Sequence, residues 1–79
     1  MTNTEEATLS WWQDTGASQL NKELIELRNK GIGSVPISNL ELSTPPLLDK
    51  RMLAELITND GIRAVVYNYG NDTDVVVKI

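Results

Sequence analysis

The alternation of apolar and polar residues predicts a first clear helix over residues 18–30. Its apolar positions fall at helical spacing, and they are Leu20, Leu24, Ile25 and Leu27. Ser18 can cap the start of the helix. At the other end, Gly31 can adopt the left-handed conformation that follows a last turn, so that Ile32 folds back on Leu27 in a Schellman motif.

A second helix is predicted to begin at Thr44-Pro45, because a hydroxyl cap followed by proline is a common helix start. A broad apolar face continues through residue 58, formed by Leu48, Met52, Leu53, Leu56 and Ile57. Asn59-Asp60-Gly61 then ends the helix.

The N-terminal segment predicts a shorter helix over residues 5–14. Thr2 and Glu5 have the spacing of a capping box, which favours a helix start. The pair Trp11-Trp12 suits a strand equally well, so both readings stay open. In either case Thr15-Gly16 is expected to end the element.

Residues 35–43 alternate between apolar and polar side chains, as an edge strand does. Pro36 lacks the N–H that a strand inside a sheet would donate, so an extended connector is the alternative. Whether residues 35–42 form a strand is therefore left open at this point.

The C-terminus predicts a β-hairpin of Ile62–Tyr69 and Asp74–Ile79 around a turn at residues 70–73. In the expected register, Tyr69 faces Asp74 and Tyr67 faces Val76. One face of the hairpin then carries Ala64, Val66, Asn68, Val75, Val77 and Ile79. The opposite face carries Arg63, Val65, Tyr67, Tyr69, Asp74, Val76 and Lys78.

These elements together predict an α+β fold, in which two to three short helices pack on a small antiparallel sheet built around the C-terminal β-hairpin. Residues 1–79 form a single domain, since no linker or repeat divides them. A chain of 79 residues buries a modest core, so self-association is a plausible supplement to its stability.

Composition excludes most catalytic chemistry. The chain has no histidine and no cysteine, and it lacks a glycine-rich phosphate loop, so we expect no enzyme, no cofactor and no metal site. Asn71-Asp72-Thr73-Asp74 is rich in oxygen atoms, but a hairpin turn explains it better than a calcium loop does.

Seven basic and eleven acidic residues give a net charge of −4, which disfavours nucleic acid and anionic membranes as partners. Residues 1–7 lack the basic and apolar pattern of a signal peptide, and no apolar stretch reaches membrane-spanning length. We therefore expect a cytoplasmic protein whose partner is another protein.

Two groups of residues are candidates for protein binding. Adjacent tryptophans cannot share one face of a helix or strand, so either Trp11 or Trp12 is expected to be partly exposed and available as an anchor. The second group lies on the polar-rimmed hairpin face and consists of Arg63, Val65, Tyr67, Tyr69 and Val76. Both groups could instead be core residues, if another layer covers them.

The resulting hypothesis is a small acidic protein-binding module that acts as an inhibitor, adaptor or assembly subunit by occupying a partner's surface. Small acidic proteins of phages and mobile elements that block host enzymes offer an analogy. One alternative is a winged-helix-like DNA-binding regulator, because a helix followed by a hairpin is the element order of that motif. Another alternative is the structural subunit of a homo-oligomer.

Overall fold

A long N-terminal helix and a three-stranded antiparallel sheet make up most of the molecule. The computed structural model describes all residues from Met1 to Ile79. The helical elements are α1 (Asn3–Trp11), a π-helical turn (Trp12–Gly16), α2 (Ala17–Asn29), a 3₁₀ turn (Ile37–Asn39) and α3 (Lys50–Asn59). The strands are β1 (Ser34–Pro36), β2 (Ala64–Tyr69) and β3 (Asp72–Lys78). The predicted α+β class, with its C-terminal hairpin, is confirmed.

The start of α1 is the predicted capping box. The hydroxyl of Thr2 accepts a hydrogen bond from the Glu5 backbone N–H, and the Glu5 carboxylate accepts one from the Thr2 N–H, each at 3.1 Å. The predicted break at Thr15-Gly16 is wrong, because the chain stays helical from Asn3 to Asn29. Ser18 therefore lies inside this helix and does not cap it.

The π-helical turn explains why the helix does not break. The buried positions Thr8, Trp12, Gly16, Leu20 and Leu24 recur every four residues. An α-helix repeats every 3.6 residues, so this spacing would rotate the buried side steadily around a regular helix. A single wider turn takes up part of that rotation and keeps the buried side facing the core.

The helices α2 and α3 both end in Schellman motifs. After α2, Gly31 has a φ of 77°, and the Ile32 N–H donates to the Leu27 carbonyl at 3.0 Å, as the sequence predicted. After α3, Gly61 has a φ of 87°, and the Ile62 N–H donates to the Ile57 carbonyl at 3.3 Å. The second motif turns the chain directly into β2.

The predicted start of α3 at Thr44-Pro45 is wrong, because the helix begins at Lys50. Pro46 follows Pro45, and a residue that precedes proline is disfavoured in the helical conformation. Asp49 supplies the cap, since its carboxylate accepts a hydrogen bond from the Met52 N–H at 3.0 Å. The Asp49 N–H in turn donates to the buried hydroxyl of Thr8 at 2.8 Å, which ties α3 to α1.

The sheet has the strand order β1-β3-β2, with both pairings antiparallel. Within the segment 35–43, strand structure ends at Pro36, where the 3₁₀ turn takes over. β1 is thus a three-residue edge strand in which Val35 lies opposite Val77.

The hairpin register differs from the predicted one by two residues. Tyr69 lies opposite Asp72, and Tyr67 lies opposite Asp74, because the turn is formed by Gly70 and Asn71. Gly70 has a φ of 59°, which suits glycine at the first central position of a tight hairpin turn. A shift of two residues leaves every side chain on its predicted face.

The helices cover one face of this sheet, and the core lies between the two layers. Its buried apolar residues are Trp11, Trp12, Leu20, Leu24, Val35, Ile37, Leu53, Ala54, Ile57, Val75 and Val77. Ile25, which the sequence assigned to the apolar stripe of α2, is 58% exposed. None of the helices combines the length and the apolar character needed to cross a bilayer.

Candidate protein-binding surface

The face of the sheet that points away from the helices is open, and we call it the outer face. Alternation along the strands places on it Ser34 and Pro36 of β1, Val65, Tyr67 and Tyr69 of β2, Asp72, Asp74, Val76 and Lys78 of β3, and the adjoining Arg63. Val65, Tyr67 and Tyr69 expose 42%, 40% and 60% of their surfaces. Large apolar side chains in a row on an uncovered sheet are typical of an interface.

Tyr67 and Tyr69 are the aromatic residues that β2 places on the outer face. They lie two positions apart on one strand, so their side chains leave the sheet on the same side. Their rings stack with centroids 6.1 Å apart and an interplanar angle of 19°. The stacked rings form one aromatic cluster, with hydroxyl groups available for hydrogen bonds.

An apolar row crosses all three strands beside the tyrosines. Pro36 lies opposite Val76, and Val76 lies opposite Val65. Directly opposed residues in antiparallel strands share a face, so these three side chains form a continuous strip. Together with the tyrosine rings, the strip gives the outer face an apolar centre.

The charges around this centre are separated by sign. Arg63 and Lys78 lie at one end of the hairpin, where the Lys78 N–H donates to the Arg63 carbonyl at 2.8 Å. Asp72 and Asp74 lie at the other end, opposite Tyr69 and Tyr67. The outer face therefore has a basic end and an acidic end, and a partner can recognise its orientation.

The acidic end is partly held in place by hydrogen bonds. One carboxylate oxygen of Asp74 accepts a hydrogen bond from the Ser38 hydroxyl at 2.6 Å. Ser38 belongs to the 3₁₀ turn that follows β1, so this bond joins the turn to the central strand. The second carboxylate oxygen of Asp74 accepts from the backbone N–H of Val75 at 2.8 Å.

The structure brings together one of the two predicted groups of binding residues. Arg63, Val65, Tyr67, Tyr69 and Val76 all lie on the outer face. Pro36 was not among the predicted binding residues. It lies on the outer face because β1 pairs with β3, which places Pro36 opposite Val76.

The tryptophans lie on the opposite side of the sheet, within the core. Trp11 is 9% exposed and Trp12 is 6% exposed, so the expectation that one of them is partly exposed is wrong. Their ring centroids are 6.3 Å apart with planes inclined at 60°. The indole N–H of Trp11 is buried without a hydrogen-bond partner. A binding role for either residue stays a prediction.

The side chains of the outer face are suited to non-covalent contacts with a partner. It offers aromatic rings, hydroxyls, two cations and two carboxylates, and no group of three or more potential metal ligands converges anywhere in the chain. The largest cavity, of about 730 Å³, adjoins the basic end and includes Arg63, Lys78 and Thr58 in its lining.

Comparison with known proteins adds no relative. The chain matches no protein-family model, no curated protein and no solved structure. Function is therefore inferred from the geometry of the chain itself.

Proposed function

We propose that the chain is a protein-binding module that seats its outer face on a partner protein and so acts as an inhibitor, adaptor or assembly subunit. The observation that carries the proposal is the open sheet face with two stacked, exposed tyrosines at its centre. Since cysteine is absent, the chain has no need of an oxidising compartment, and we place the encounter in the cytoplasm.

Physical chemistry favours such a face as a binding surface. Tyrosine provides a large contact area while losing the freedom of few rotatable bonds, so little entropy opposes its burial. Tyrosine and arginine are also enriched among the residues that dominate interface energies. Here the tyrosines stand on the hydrogen-bonded strand β2, and Arg63 directly precedes it with its carbonyl bonded to the Lys78 N–H, so both types are held in place before the partner arrives.

The rim charges define the chemistry of the partner. A complementary surface carries an apolar centre, an acidic patch opposite Arg63 and Lys78, and a basic patch opposite Asp72 and Asp74. The net charge of −4 adds a longer-range preference for a basic partner, which raises the association rate at low salt.

Affinity capture from the native host, read by mass spectrometry, tests this proposal. We expect one defined protein to be captured, and Tyr67→Ser and Tyr69→Ser each to reduce its recovery about tenfold or more, as loss of a central anchor does. The matched control is Leu47→Ser, which removes an apolar side chain as exposed as Tyr69, at 60%, from the loop that precedes α3.

Circular dichroism of each variant separates loss of binding from loss of folding. Capture that survives both tyrosine changes, or that Leu47→Ser abolishes equally, would contradict the proposal.

A DNA-binding role is the second candidate, because α3 leads directly into the β2-β3 hairpin and exposes Arg51 in its first turn. Against it, Glu55 lies one turn along from Arg51, and the Lys50 ammonium donates to the Thr73 carbonyl. Binding to random duplex that disappears as salt rises would favour this role over the protein-binding one.

A further inference from the structure

The two edge strands of the sheet, β1 and β2, differ in the backbone groups that they leave free to pair with another strand. The Lys78 N–H points to Arg63, and the Ile79 N–H points to Gly33 on the opposite side of β3. Backbone groups alternate in direction along a strand. It follows that Ala64, Val66 and Asn68 of β2, and Ser34 and Pro36 of β1, direct their backbone groups away from β3.

The outward groups of β2 have no partner within the chain. No hydrogen bond from a turn, loop or side chain reaches the backbone of Ala64, Val66 or Asn68. β2 is six residues long and contains no proline or lysine, which are common means of blocking an edge. β1 is three residues long, and Pro36 removes one of its outward donors.

A groove runs between the free edge of β2 and the helix α3. It encloses about 440 Å³, and its lining is Arg51, Ala54, Glu55, Thr58, Asn59, Ala64 and Val66. Opposite charges are thus placed one helical turn apart, on Arg51 and Glu55, beside two of the unpaired strand positions, Ala64 and Val66.

We propose that β2 pairs antiparallel with β2 of a second copy of this chain, around a two-fold axis through Val66, to form a continuous six-stranded sheet. In this register Val66 lies opposite Val66 of the second copy, and Ala64 lies opposite its Asn68. All three outward positions of each strand are then hydrogen-bonded, whereas a register centred elsewhere leaves some of them unpaired.

The side chains around this edge are self-complementary, which identifies the occupant as a second copy. A two-fold axis reverses the order of residues along α3, so Arg51 of one copy faces Glu55 of the other, and the reverse. On the outer face the same register brings Arg63 against the Tyr69 ring of the second copy, where a cation–π contact forms.

This inference does not rest on the proposed function. The pairing uses the edge of β2. Of the outer-face residues only Arg63 and Tyr69, at its margin, contact the second copy, and the rest of the face stays open. The two outer faces then form one surface, so the dimer presents two copies of the tyrosine pair. Dimerisation is measured on the chain alone, and its failure leaves the capture experiment unaffected.

Sedimentation equilibrium of the full chain provides the test. We expect a concentration-dependent monomer–dimer equilibrium whose Kd rises at least about tenfold in Asn68→Pro, because the change removes an outward N–H and places a ring against the second copy. Ser34→Pro is the matched control, since it removes an outward N–H from the other edge, and it should leave the Kd unchanged. Circular dichroism confirms that both variants fold.

A charge exchange identifies the second copy as the occupant. Arg51→Glu and Glu55→Arg should each weaken the dimer, because each places like charges across the axis. The double variant Arg51→Glu/Glu55→Arg should restore it, and a mixture of the two single variants should form heterodimers. A chain that remains monomeric at about 1 mM, where even weak complexes are populated, overturns the proposal. A dimer that responds equally to Ser34→Pro and Asn68→Pro overturns it as well.

Discussion

The chain contains two pairs of aromatic residues, of which the fold buries one and exposes the other. Trp11 and Trp12 are adjacent in sequence and lie in the core, with 9% and 6% of their surfaces exposed. Tyr67 and Tyr69 are two positions apart and lie on the uncovered face of the sheet, with 40% and 60% exposed.

The spacing of each pair, together with its element, explains the difference. Because the tyrosines are two positions apart on a strand, both lie on one face of the sheet, and no second layer covers that face. Adjacent tryptophans diverge by about 100° on a helix, yet both rings lie in the core, and Gly16 leaves room for the Trp11 ring. Aromatic residues that look equally suited to binding are therefore separated into core and surface by backbone geometry.

The largest expected effect tests the core assignment of the tryptophans. Trp12→Ala should lower the free energy of unfolding by about 4 kcal/mol, because a buried indole is replaced by a cavity. That loss is comparable to the whole stability of a domain this small, so the variant should be largely unfolded by circular dichroism. Trp12→Phe keeps an apolar ring and should retain a cooperative urea transition. A fully folded Trp12→Ala variant would break the contrast between the two pairs.

The second-largest effect on the free energy of unfolding is expected at Thr8, a polar residue on the tryptophan side of the molecule. Thr8 is fully buried, and its hydroxyl donates to the Thr4 carbonyl and accepts from the Asp49 N–H, each at 2.8 Å. Thr8→Val keeps the shape but leaves the Asp49 N–H without its partner, which should cost about 2 kcal/mol in urea denaturation. Thr8→Ser retains the hydroxyl and should cost less than Thr8→Val; the opposite order would exclude the hydrogen bond as the cause.

Gly16 tests how tightly the first tryptophan is packed. A Cβ at this position would lie 3.0 Å from ring atoms of Trp11, although alanine is the better helix former. We expect Gly16→Ala to lower stability by about 1 kcal/mol net, as the ring is displaced against a packed core. A stabilised variant, measured by thermal unfolding, would show that the indole has room to move.

The smallest effect is expected on the tyrosine side. Tyr69 is 60% exposed, so Tyr69→Ser should change the free energy of unfolding by less than about 0.5 kcal/mol. The same variant should lose its partner in the capture experiment. A large loss of stability would mean that the ring contributes to folding, and the contrast between the two pairs would then be weaker.

Local signals predicted much of this fold. The capping box at Thr2 and the Schellman motif after Leu27 were correct because neighbouring residues determine them. The two faces of the hairpin were also predicted, since alternation survives a register shift of two. Most of the outer face followed from that alternation, with Arg63, Val65, Tyr67, Tyr69 and Val76 placed together.

The failures depend on contacts between distant parts of the chain. The start of α3 at Lys50 follows from two prolines and from Thr8, which lies 41 residues away from Asp49. Gly16 indicated a break because glycine weakens helices, whereas in the fold it makes room for the Trp11 ring. The burial of the tryptophans could not be predicted either, because both rings pack in a core whose other residues come from distant elements.

Pro36 has a consequence for how far any strand pairing can extend. A protein with two receptive edges can add copies without limit and grow into a fibre. In the proposed dimer both remaining edges of the sheet are β1 strands, and each is three residues long with an outward position occupied by Pro36. We therefore expect association through this sheet to close after two molecules and not to continue into a polymer.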